Sequence, residues 1–172
     1  MSMTHYMALL ADNQPWNLIL FMAIPVILAE TVAITELYIL FSRQFHGGVR
    51  KINRSASIVG GVYFCGVFVY LMATAVIPLT TSGGWRGAAD VIAVGFYLSG
   101  IVPLLGLALL DLGLIGQRRT EEGKLKLHAT FVAIFLVVAH VAMIFGMLDP
   151  TLLMSQAPEV MQNMGAMPGM SH

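Results

Sequence analysis

Residues 26–41 read VILAETVAITELYILF, an apolar run with two glutamates, Glu30 and Glu36, set inside it. Whether this run crosses a bilayer or lines a soluble core decides the fold, and composition answers. The chain is 58% hydrophobic and 10% charged, against about 45–50% and about 25% in soluble domains, and its mean hydropathy is +0.81. This is the composition of a membrane protein.

Working outward, four runs are long enough to span a hydrocarbon core of about 30 Å, which takes about 20 residues of helix. They cover about 16–41, 55–79, 88–116 and 125–148. The expected fold is all-α, an integral membrane four-helix bundle at 1–150 followed by a Met/His-rich tail at 151–172. The connections SRQFHGGVRKINR, TTSGGWRG and QRRTEEGK leave no room for an extramembrane domain.

Lys and Arg near the ends of spans stay in the cytoplasm. Arg43, Arg50, Lys51 and Arg54 lie in the first loop, and Arg118, Arg119, Lys124 and Lys126 in or beside the third; the second holds Arg86 alone. Both termini are therefore expected outside, in the periplasm of a bacterial inner membrane, with loops 1 and 3 cytoplasmic. The start MSMTHYMALLADNQPWN lacks a basic n-region, so the first span is expected to be an uncleaved N-out anchor. A single Cys65 rules out an internal disulfide, and zero net charge offers no basic surface for nucleic acid.

Ser57 and Gly61, four apart with Gly60 and Gly66 nearby, let helix backbones approach closely within the bundle or between protomers. Pro25 and Pro103 should kink the first and third spans, beside a cavity or as packing devices.

A charge at the bilayer centre costs at least about 2.5–3.5 kcal/mol, so Glu30, Glu36, Asp111, His128 and His140, with Asp90 near an outer end, each need a partner, metal, water or proton. At 1.5 Å rise per residue, Glu36 lies about 9 Å deep, Asp111 about 8 Å and His128 about 3 Å, one inner layer. Glu30 at about 18 Å and His140 at about 21 Å form a second, near the midplane with Cys65 at about 16 Å. His140, Met143 and Met147 share one helix face. That face suits soft Cu(I), whereas Glu, Asp and His together suit zinc, iron or manganese. Buried ion pairs with methionine as core filler are the structural alternative.

A bis-His haem b within one protomer is disfavoured, because both intramembrane histidines lie on the fourth span about 18 Å apart. His46 and His128 could meet near the cytoplasmic surface as ligands of a metal or a peripheral haem. The tail PTLLMSQAPEVMQNMGAMPGMSH places Met154, Met161, Met164, Met167 and Met170 before His172. Thioethers bind Cu(I) where thiolates would oxidise. Met1, Met3, His5 and Met7 repeat the theme, or form a small amphipathic helix.

The segments NQPWNLILFMAIPVILAETVAITELYILFSR and HATFVAIFLVVAHVAMIFGMLDP resemble a family of uncharacterised four-helix bacterial inner-membrane proteins often labelled "permease". The resemblance implies a bacterial source and the same architecture. No motif here supports the label, and the halves show no internal repeat of the kind secondary transporters carry. A homodimer would offer eight helices.

The leading expectation is a metal-handling membrane protein, copper preferred over zinc, iron or haem b. Its ligands would be Glu30, His140 and Met143 at the midplane, Glu36, Asp111 and His128 nearer the cytoplasm, and Met164, Met167, Met170 and His172 outside. The alternatives are a haem- or quinol-linked electron-transfer subunit and an assembly subunit of a larger membrane complex. No catalytic signature is present.

Overall fold

The computed structural model describes residues 3–44, 46–118 and 120–149. After a short helix α1 (His5–Ala11) come four helices long and apolar enough to cross a membrane: α2 (Trp16–Ser42), α3 (Gly48–Ser82), α4 (Ala88–Asp111) and α5 (Glu121–Met147). No strand occurs among the described residues. Each long helix packs on the next, and α5 returns to touch α2, which closes a four-helix bundle.

Helix boundaries follow backbone chemistry more than hydropathy. α3 starts at Gly48, seven residues before the apolar run, because helical hydrogen bonding continues through polar Arg50, Lys51, Asn53 and Arg54. α4 stops at Asp111 and does not reach 116, since Gly113 turns left-handed at φ +77° and its N–H returns to the Leu110 carbonyl. At the head of α5, Thr120 Oγ1 accepts from the Gly123 N–H at 3.2 Å, and Glu121 and Glu122 occupy the favourable first turn.

The prolines reshape their helices as their chemistry requires. A π-helical turn, Ile19–Ala23, precedes Pro25, and another, Met72–Val76, precedes Pro78. Proline lacks an N–H and crowds the carbonyl four residues back; for Pro25 that carbonyl is Phe21. Tyr97 Oη on α4 donates to it at 2.5 Å, and Tyr63 Oη on α3 donates to Leu20 O at 2.8 Å. The freed acceptors are thus satisfied inside the membrane. Gly100 interrupts α4 just before Pro103, and Pro25 and Gly100 line the same apolar cavity.

The small residues of α3 serve packing within the chain. A Cβ on Gly61 would lie 2.5 Å from Ala108 Cβ and 2.7 Å from Leu104 O on α4. The core divides into two clusters, one around Val32, Phe64, Leu107 and Phe135, the other around Phe21, Leu71 and Ala93. Tyr6 and Leu10 of α1 join the second, so α1 caps the end of the bundle opposite the basic loops.

Candidate functional site

Near the basic end, Glu36 of α2, His128 of α5 and Asp111 of α4 meet in one buried network, the three residues that depth counting grouped as an inner layer. His128 stands between the carboxylates. Its Nε2 is 3.0 Å from Asp111 Oδ2 and its Nδ1 is 2.8 Å from Glu36 Oε2. The second contact lies off the hydrogen-bond direction, so it is a charge contact, and Glu36 Oε1 has no hydrogen-bond partner among the described residues.

Helix α3 supplies the rest of the network. Arg50 Nη2 pairs with Asp111 Oδ1 at 2.9 Å, while Nη1 donates to Asn53 Oδ1 at 2.8 Å. Asn53, fully buried, donates to Val32 O at 3.1 Å and reaches Glu36 Oε2 at 3.2 Å. Ser57 Oγ donates to Asp111 Oδ2. Two carboxylates facing one guanidinium and one imidazole balance to zero when His128 holds both ring protons. Arg50, 30% exposed at its side chain, opens onto a basin that His46, Lys51, Arg54 and Lys124 also line.

Sequence reasoning missed Arg50, Asn53 and Ser57 as members. Arg50 and Asn53 lie in SRQFHGGVRKINR, a polar stretch whose composition predicts a loop, and Ser57 stands out in the sequence only for its small size. The signal available was helical spacing: Arg50, Asn53 and Ser57 recur at intervals of three and four on one helix face.

The arrangement has a consequence for metal binding. Both nitrogens of His128 face carboxylate oxygens, and Asp111 is engaged by Arg50, Ser57 and His128. Among the described residues, no group of three or more His, Cys, Asp or Glu side chains is placed to hold a metal ion. His46 lines the basin, and His128 is not among the residues that line it.

Glu30 and His140 are not brought together. Both are exposed on the outer surface of the bundle, and no ion pair joins them among the described residues. With the Glu36–His128 contact as a common level, Glu30 lies about 9 Å and His140 about 18 Å farther along their helices. His140 Nδ1–H donates to the Leu136 carbonyl at 2.6 Å, which leaves Nε2 open toward the surroundings.

At the opposite end, α1 is anchored by polar contacts. Asp90, fully buried, receives the His5 backbone N–H at 2.6 Å and sits 2.5 Å from His5 Nδ1; Thr4 Oγ1 donates to Gly146 O at 2.7 Å. This docking builds an open groove in which Met3 and Met7 of the N-terminal segment meet Met22 of α2 and Met143 and Met147 of α5. Five of its ten lining residues are methionines, drawn from three parts of the chain. The groove is otherwise lined by Tyr6, Gln14 and aliphatic side chains, without an ionised group among the described residues. Burial pushes the Tyr6 phenol up to about 12, so it stays neutral. Met22 and Met143 also line the apolar cavity beside Pro25.

A family of unknown function, DUF6803, matches residues 1–162. The chain belongs to that family. Neither a curated protein nor a solved structure matches it. The DUF6803 match takes in the bundle, both polar clusters and all five groove methionines. Met164, Met167, Met170 and His172 lie beyond it and, with Met154 and Met161, outside the described residues.

Proposed function

We propose that this DUF6803 member is a copper-handling protein of a bacterial inner membrane that takes up Cu(I) at the methionine groove. The observation that carries this reading is that Met3, Met7, Met22, Met143 and Met147 all line one groove. Thioether sulfur is neutral and soft, which favours Cu(I) over zinc, iron or manganese, and among the described residues the groove offers those harder ions no carboxylate or imidazole. With the basic loops cytoplasmic by the positive-inside rule, the groove opens to the periplasm. There the Met/His tail at 151–172 supplies further donors of the same kind.

The metal then sits at the outer thioethers and not at the carboxylate and histidine layers. The inner network of Glu36, Arg50, Asp111 and His128 serves as a charge-balanced link between four helices. Cu(I) affinity, measured by competition with a chromophoric chelator under reducing conditions, tests the proposal. Met7→Leu/Met143→Leu/Met147→Leu preserves volume and removes three donors. We expect its affinity to fall at least about tenfold, a loss of roughly 1.4 kcal/mol; equal affinity in the triple variant and wild type defeats the groove as a copper site.

A second reading, a haem- or quinol-linked electron-transfer subunit, is favoured by the open Nε2 of His140. A Soret band in purified protein that vanishes in His140→Ala would place it ahead of copper.

A further inference from the structure

Two cavities at the basic end of the bundle share one residue, Lys51. The first is the basin beside the buried network. Two of its cations are already engaged, Arg50 by Asp111 and Lys124 by Glu121 at 2.9 Å each. Lys51 and Arg54 are exposed and form no salt bridge among the described residues. They stand three apart on α3, hence on one side of it.

The second cavity is an open apolar groove lined by Leu28 of α2 and by Ile52, Ala56 and Val59 of α3, with Ser55 beside them. Lys51, Ser55 and Val59 recur every four residues, so one stripe of α3 passes from a cation through a hydroxyl to hydrocarbon. From Lys51 to Val59 the stripe descends about 12 Å into the span. Neither cavity takes part in the methionine groove, which lies at the other end of the molecule.

We propose that this stripe binds an anionic phospholipid, its phosphate between Lys51 and Arg54 and one acyl chain along Leu28, Ala56 and Val59. Charge complementarity selects the headgroup, since two unengaged cations at the end of a span attract phosphate. Continuity with an apolar groove selects a lipid over a free anion. A free phosphate would use the basin and gain nothing from the groove, whereas a lipid fills both. The Ser55 hydroxyl is placed to donate to the ester region.

Binding to the delipidated full-length protein in detergent, followed by native mass spectrometry and by the thermal midpoint, tests this. The probes are dioleoyl phosphatidylglycerol, dioleoyl phosphatidylcholine, glycerol phosphate and inorganic phosphate. We expect phosphatidylglycerol to bind tightest and to raise the midpoint most. Lys51→Ala/Arg54→Ala should bind it about thirtyfold more weakly. Val59→Trp, which fills the groove and leaves both cations, should weaken phosphatidylglycerol and leave glycerol phosphate unchanged; it also serves if the double variant does not fold. Equal binding of the two dioleoyl lipids overturns the headgroup assignment, and a full effect from inorganic phosphate alone overturns the acyl groove. Undiminished binding in both variants removes the site.

Discussion

Glu36 and Glu30 are six residues apart on one helix and have opposite surroundings. Glu36 is 3% exposed and faces His128, whereas Glu30 lies on the exposed surface. Hydropathy places both in the membrane, but apolar residues ring this helix on every side, so periodicity is silent about which glutamate turns inward. His128 is the residue on which the inner network depends. His128→Leu would remove the imidazole between two buried carboxylates, leaving Asp111 with Arg50 and Ser57 and Glu36 with Asn53. We expect a loss of about 3–5 kcal/mol in detergent unfolding, the range for removing one partner of a buried pair. Glu36→Gln keeps the shape and the Asn53 contact, and should cost about 1 kcal/mol. A Glu36→Gln variant as unstable as His128→Leu would show that the network depends on both charges equally.

At the scale of elements, the approach of α3 to α4 is set where Gly61 meets Ala108 and Leu104. Neither contact belongs to the far end of a flexible side chain, so an added methyl must push the helices apart. Gly61→Ala is expected to destabilise by about 1–3 kcal/mol. Gly66, five residues on, has open space around its would-be Cβ. Gly66→Ala should be neutral or stabilise by about 0.5–1 kcal/mol through helix entropy. Equal effects of the two substitutions in a thermal unfolding series would remove close packing as the role of Gly61. The small-residue spacing was legible in the sequence; its partner was not, because spacing marks a face without saying which helix lies against it. The π-helical turn before Pro25 was legible only as a kink and the one before Pro78 not at all, since proline forbids one hydrogen bond and the neighbouring helices decide how the backbone re-forms.

For the whole molecule, the expected topology has the 83–87 loop outside and the 112–120 loop inside. In a Cys65→Ser background, Ser82→Cys should react with a membrane-impermeant maleimide in intact cells. Gln117→Cys should react only after permeabilisation, and the reverse pattern would invert the orientation and the compartment of the methionine groove. Four spans, their approximate limits and the inner grouping of Glu36, Asp111 and His128 were accessible from the sequence alone. Hydrophobic length and rise per residue are one-dimensional quantities, and a helix in a bilayer converts them directly into depth. Azimuth is different, because it depends on which faces pack. Only tertiary structure showed that Arg50, Asn53 and Ser57 complete the inner network and that Glu30 and His140 face outward. It also showed that α1, held by Asp90 and Gly146, carries Met3 and Met7 to Met22, Met143 and Met147. Contacts between residues more than a hundred positions apart are settled by how helices fit together, and no local pattern records that fit.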